Sequence, residues 1–261
     1  MSPAIILRDR IDAGEQLAQE IHRIFTQFAD NSSIAPVPIV YALPRGGLPV
    51  ALPIARLLRC PLDIVVAKKI SHPKNPELAI GAVTAQKNII WSEETPLNLR
   101  NSQLGEMALN EAFNKANSQL AQLTPARPKI NQNTLAGQQG VIAILVDDGI
   151  ATGMTIAVAA QALKAQNPLS IWICAPVAPW SLLPWLEQWG DRIILLASPK
   201  SFLSVSRFYA DFPQVEIEAA LACLEQQREW LEEGRGAGGA EGHFSRGAEG
   251  HFSRGAGEQG R

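Results

Sequence analysis

Six consecutive apolar residues, Val141–Val146, run directly into the paired carboxylates Asp147 and Asp148. A strand without a polar side chain has no face to turn to water. It belongs inside a sheet covered on both faces, and the two aspartates emerge where that sheet ends. A related alternation repeats along the chain. A β-branched run at residues 37–41 stops at Leu43-Pro44-Arg45-Gly46-Gly47 and gives way to a helical stretch at 50–58. Residues 62–67 predict a strand, 99–123 a long polar helix and 155–165 another helix. Residues 170–175 and 193–197 predict two more strands with a helical segment at 180–189 between them, and 215–230 a closing helix. Ahead of all these, Leu17, Ile21, Ile24, Phe25 and Phe28 recur at helical spacing behind Asp12 as a cap. The alternation predicts an α/β fold with a mostly parallel central sheet flanked by helices, where ligands sit at the carboxyl ends of the strands.

Only 18% of the 261 residues are charged and the formal net charge is -2, so the chain lacks the basic footprint of a nucleic-acid binder. An anionic ligand needs a local site. The hydrophobic content, 46%, suffices for one sizeable core, which we expect within residues 1–233. Residues 234–261 are glycine-rich, lack large aliphatic side chains and repeat Ala-Glu-Gly-His-Phe-Ser-Arg-Gly in tandem, which predicts a disordered tail. Gly234, Gly236 and Gly239 match the spacing of a dinucleotide fingerprint, but no strand precedes them and no helical pattern follows. His243 and His251 read as solvated linker histidines. Cys60, Cys174 and Cys223 are far apart in apolar surroundings and read as reduced core thiols. The start of the chain has no continuous apolar run of a secretory signal, and no segment approaches the roughly 18 apolar residues of a membrane span, so the expected compartment is the cytosol.

Beyond the aspartates, Gly149, Ala151, Thr152, Gly153 and Thr155 are small or hydroxylated and lead into the helical run Ile156-Ala157-Val158-Ala159-Ala160. Free backbone N–H groups and the helix dipole at such a terminus favour a phosphate. Gly153 lets the backbone approach closely, and the threonines add hydroxyl donors. Two adjacent carboxylates repel unless donors or cations face them; vicinal ribose hydroxyls and a magnesium ion are such partners. A plain strand end with Asp148 as helix cap leaves this clustering unexplained. A Walker B strand requires G-x-x-x-x-G-K-[ST], which the chain lacks.

The stretch Leu145-Val146-Asp147-Asp148-Gly149-Ile150-Ala151-Thr152-Gly153-Met154-Thr155 resembles the phosphoribosyl diphosphate (PRPP) motif of the type I phosphoribosyltransferases, in which apolar residues lead into two acidic ones and a T-G-x-T turn. Leu43-Pro44-Arg45-Gly46-Gly47, Asn75-Pro76-Glu77-Leu78-Ala79-Ile80-Gly81-Ala82-Val83 and Phe208-Tyr209-Ala210-Asp211-Phe212 also look like a bacterial branch of that family, so the resemblance spans residues 8–221. It implies the type I fold with a small hood, and a set of roles. Asp147 and Asp148 would hold the ribose 2- and 3-hydroxyls and face Mg²⁺, while Ala151, Thr152, Gly153, Met154 and Thr155 would cradle the 5-phosphate, with Gly149 also among the PRPP-binding residues. Arg45, Gly46 and Gly47 match the turn that lies against the pyrophosphate, and Lys69, of the pair Lys68-Lys69, would add positive charge there. Glu77 falls in the polar segment 71–94, read as a mobile flap or a short antiparallel ribbon, and would serve as acid or base once closure excludes water. Lys200, Phe202, Phe208 and Tyr209 would contact a planar acceptor, whereas Trp180, Trp185 and Trp189 read as a packed amphipathic helix.

The implied activity is a Mg²⁺-dependent transfer of the 5-phosphoribosyl group from PRPP to a nitrogen acceptor, a nucleobase foremost, with release of pyrophosphate. Neither nucleic acid nor membrane is an expected partner, and a homodimer is compatible with the family. Two other classes stand beside this one: a non-catalytic PRPP or nucleotide sensor on the same fold, and a partner-binding protein that works through its repeat tail.

Overall fold

The computed structural model describes residues 7–128 and 140–237. Of the tail expected to be disordered, 234–261, residues 234–237 continue the last helix; the rest, with the tandem repeat and its two histidines, lies outside the described residues. Helix α1 (Arg10–Asp30) leads to β1 (Val37–Ala42), α2 (Gly47–Leu58) and the short β2 (Leu62–Ile64). Strands β3 (Ala67–His72), β4 (Asn75–Thr84) and β5 (Ile89–Trp91) follow, then α3 (Leu97–Arg100) and α4 (Gln103–Leu123). The remainder comprises β6 (Val141–Val146), α5 (Met154–Lys164), β7 (Ser170–Val177), α6 (Leu183–Leu186), β8 (Arg192–Ala197) and α7 (Ile217–Ala237).

Five strands form one sheet in the order β2-β1-β6-β7-β8, every neighbouring pair parallel. Along β6 the side chains alternate between two apolar clusters, as strand geometry requires. Ile142, Ile144 and Val146 join Val40 and Trp172 beneath α1, α2 and α7, through residues such as Leu17, Ile21, Ile54 and Leu224. Val141, Ala143 and Leu145 join Ile39, Tyr41 and Ile173 beneath α5, through Ala157, Ala160 and Leu163. Both faces are therefore covered, and β6 is buried at every position. Each of its large side chains contributes roughly 1.5–3 kcal/mol on burial.

The polar segment after β2 resolves into the second of its two expected forms, an antiparallel ribbon with strand order β3-β4-β5. The run predicted as one strand, 62–67, is divided: β2 ends at Ile64, and Ala67 begins the ribbon. Val65, Val66 and Ala67 are buried throughout, and an apolar run encodes burial without saying which sheet a residue pairs with. The predicted 99–123 helix is also two pieces. Ser102 caps α4 by accepting a hydrogen bond from the Gly105 N–H, at 3.1 Å. Helix α1 is capped by Asp9, which accepts from the Asp12 N–H at 2.8 Å, so the cap lies one turn earlier than expected. Between β7 and β8 there is a 3-10 turn at Trp180–Leu182 and one turn of helix, α6. Trp185 and Trp189 pack on the apolar cluster under α5 as expected; Trp180, which precedes α6, is 56% exposed. Cys60, Cys174 and Cys223 are buried free thiols, and among the described residues no helix is long and apolar enough to cross a membrane.

Candidate active site

From β1 the chain moves outward to β2, and from β6 outward the other way to β7 and β8, so the strand order reverses between β1 and β6. The carboxyl ends of these two neighbours open the crevice in which open α/β sheets bind ligands. The register pairs Ala42 with Val146, the last residue of each strand. Leu43 N–H donates to the Val146 carbonyl at 2.9 Å, which carries the pairing one step into the turn. Arg45-Gly46-Gly47 thus stands directly against Asp147 and Asp148.

The contact is close enough to dictate glycine. A β-carbon on Gly47 would lie 2.7 Å from the Val146 carbonyl oxygen, and one on Gly46 would lie 2.1 Å from Asp148 Oδ2. Between these glycines and the strand end no side chain fits. The Pro44–Arg45 peptide is cis. Arg45 is half-buried, and the nearest carboxylate oxygen, of the exposed Glu216, is 4.0 Å from Nη1.

Asp147 and Asp148 share an environment that disfavours two negative charges. Burial first, and the charge of Asp148 second, hold the Asp147 carboxyl well above the usual carboxylate range. Asp148 is also raised by burial, against the opposing pull of Arg10, whose Nε donates to Oδ2 at 2.7 Å. Asp147 Oδ1 accepts the Asp148 N–H at 2.9 Å. Among the described residues Asp147 makes no salt bridge, and no group of three or more His, Cys, Asp or Glu could cage a metal ion. The paired carboxylates are a donor set that could hold Mg²⁺, an ion commonly bound by one or two carboxylates together with substrate phosphates and waters.

The turn that follows places Ala151 and Thr152 at the surface, Thr155 half-buried and Met154 buried. Gly153 caps α5 with φ 75°, and no side chain caps the helix there, so the first-turn N–H groups are available to a phosphate. Gly149 packs on Val205, and Gly153 on Trp185.

The other sequence candidates lie on β3, on the β3–β4 hairpin and on the segment after β8. Lys68 is partly buried, its ammonium pKa lowered by burial and by the charges of Arg45 and Lys115, while Lys69 is exposed. Glu77 is exposed near the tip of the β3–β4 hairpin, its N–H donating to Asn75 Oδ1 at 3.3 Å. Phe202 and Phe208 stack with centroids 5.6 Å apart. Lys200 is exposed, with Nζ 5.8 Å from the Trp180 ring. Tyr209 is buried; its hydroxyl donates to the Asp148 carbonyl at 2.6 Å and its ring packs on Phe212. Sequence reading missed Arg10, which pairs with Asp148 across 138 positions. The local sequence Arg8-Asp9-Arg10 gives no sign of it.

A parallel sheet with its crevice between an Arg-Gly-Gly turn and an acidic strand end defines the class, and comparison with known proteins agrees. The chain belongs to the phosphoribosyl transferase family: the family model "Phosphoribosyl transferase domain" matches residues 8–182. It is similar to the Mycobacterium tuberculosis protein named "Putative phosphoribosyl transferase Rv0571c" and to its CDC 1551 counterpart MT0597, each 31% identical over 228 residues. These residues are 87% of this chain but 48% of each relative, so the chain spans about half the length of the curated relatives it matches. Among solved structures it is similar to TT1426 from Thermus thermophilus, at 28% identity and a TM-score of 0.66, covering 85% of this chain and 99% of that one.

Proposed function

We propose that the protein is a Mg²⁺-dependent phosphoribosyltransferase that moves the 5-phosphoribosyl group of PRPP to a nitrogen acceptor and releases pyrophosphate. The single observation that carries this reading is the contact of Gly46 with Asp148. It brings an arginine-bearing turn against two carboxylates, and the uncapped N-terminus of α5 follows in the same run of chain. A molecule with a terminal phosphate, vicinal hydroxyls and a diphosphate matches those three features.

In this reading the first-turn N–H groups of α5, with Thr152 and Thr155, bind the 5-phosphate. Asp147 and Asp148 accept hydrogen bonds from the ribose hydroxyls and fix the position of C1. Attack of the acceptor nitrogen at C1 expels pyrophosphate, and the charge gathering on its oxygens dominates the barrier. Arg45 lies where that charge appears and stabilises it, and Lys68 and Lys69 extend the positive field along β3. Asp147 and Asp148 would hold Mg²⁺, which would supply further neutralisation of the diphosphate. Glu77 joins only if the ribbon closes over bound substrate. Phe202, Phe208 and Lys200 form the acceptor side, with Tyr209 behind them fixing the backbone of Asp148. No covalent step on the protein is needed.

Incubation with PRPP, Mg²⁺ and a panel of purines, pyrimidines and other nitrogen acceptors is expected to release pyrophosphate with at least one of them. Tight PRPP binding with silence across the whole panel would transfer the protein to the sensor class.

A further inference from the structure

Asp148 is held from three sides. Its Oδ2 accepts from Arg10 Nε at 2.7 Å, in an ion pair whose side chains are only 10% and 17% exposed. Its main-chain carbonyl accepts from the Tyr209 hydroxyl at 2.6 Å. Gly46 closes on the same Oδ2. Arg10 is itself fixed: Nη1 donates to the Pro213 carbonyl at 2.6 Å, and the guanidinium lies 3.6 Å above the Phe212 ring. The backbone locks the two segments together, since Leu7 N–H donates to Phe208 O, Ala210 N–H to Leu7 O and Asp211 N–H to Arg8 O, at 2.8, 2.8 and 2.9 Å. The first turn of α1 and the segment after β8 thus form one support behind the end of β6.

An ion pair this well enclosed costs desolvation at both ends, and a single-point contact would not hold one rotamer. The guanidinium uses divergent donors, Nε toward Asp148 and Nη1 toward Pro213, while its plane stacks on Phe212. A lysine cannot do all three. The consequence falls on the carboxylate: Arg10 holds Oδ2, while Oδ1, 3.2 Å from where a β-carbon on Gly46 would lie, is outside that ion pair.

Resting on the phosphoribosyl-binding reading above, we propose that Arg10 is a positioning residue for the sugar site: by claiming Oδ2, it presents Asp148 to a ribose hydroxyl as a charge-compensated acceptor in one orientation. Arg10 does not touch the substrate and acts only through Asp148.

The test is calorimetric titration of PRPP with Mg²⁺ into the full chain, its Arg10→Lys, Arg10→Met and Asp148→Asn variants, and the Arg10→Met/Asp148→Asn double variant. Inorganic phosphate, followed by the Gly153 amide shift, reports separately on the phosphate turn. Arg10→Met is expected to weaken PRPP roughly 30-fold and Arg10→Lys roughly tenfold, with phosphate binding unchanged. In the Asp148→Asn background, Arg10→Met is expected to add nothing, because both changes remove the same oriented carboxylate. If Arg10→Met folds poorly, Arg10→Lys carries the comparison. Wild-type affinity in the Arg10 variants, losses that multiply in the double variant, or a parallel loss of phosphate binding each overturn the proposal while leaving the phosphoribosyl reading standing. A wild-type chain that binds no PRPP overturns both.

Discussion

A β-carbon on Gly46 would sit 2.1 Å from Oδ2 of Asp148, so the turn after β1 and the acidic end of β6 meet directly at this point. The oxygen has little freedom to withdraw, because Arg10 Nε holds it at 2.7 Å. The spacing between the Arg45-Gly46-Gly47 turn and the acidic strand end is therefore set by one missing methyl group.

Gly46→Ala is expected to force these two sides apart. Overpacking of this kind costs about 1–3 kcal/mol, measurable by urea denaturation. The loss of PRPP affinity by calorimetry is expected to exceed roughly tenfold, which is the larger consequence if geometry is what the position protects. Wild-type affinity in a destabilised variant would assign Gly46 to folding alone.

Gly153 tests the proposed phosphate turn. Its φ of 75° disfavours any L side chain, and an added β-carbon would lie 2.8 Å from Trp185 Cδ1. Gly153→Ala is expected to cost at least about 1–2 kcal/mol from the backbone conformation alone. Loss of the chemical-shift response to inorganic phosphate at the start of α5 is expected alongside.

Asp147 links the site to stability. Burial and the neighbouring charge of Asp148 raise its carboxyl well above the ordinary value of 3.8. An acid raised on folding adds stability that is complete below its unfolded value and disappears as pH rises through its folded value. The unliganded protein is therefore expected to lose stability as pH climbs from the carboxylate range toward neutrality. Asp147→Asn is expected to raise Tm by a few degrees near about pH 7, with the advantage vanishing toward about pH 4. A variant no more stable than wild type at neutral pH contradicts this.

The two lysines of β3 separate in the same way. Lys68 lies partly buried in the field of Arg45, whereas Lys69 is exposed. We expect Lys68→Met to raise the KM for PRPP roughly tenfold and Lys69→Met to change it less, since a screened surface charge contributes little. Steady-state kinetics at two salt concentrations decide between them.

What the sequence makes legible is what lies close together along it. Val141–Val146, the two aspartates and the turn ending at Thr155 form one contiguous run, and each part has a local physical signature. The Arg45-Gly46-Gly47 turn is legible at the end of β1 for the same reason. Arg10 is not, because its partner is 138 residues away and charge at the start of a helix is ordinary. Val65 and Val66 read as part of a strand at 62–67 because burial alone does not distinguish a strand from a buried crossing between sheets. Lys68 and Lys69 look alike in sequence, and only the surrounding fold gives one of them Arg45 as a neighbour.

The measurement that bears most directly on the central claim is a titration of PRPP with Mg²⁺ into wild-type protein and into Asp147→Asn and Thr152→Val. Saturable binding to wild type is expected, weakened roughly tenfold or more by each substitution, through the proposed ribose side in one case and the proposed phosphate side in the other. Absence of binding to wild type, or wild-type affinity in Asp147→Asn, would contradict it.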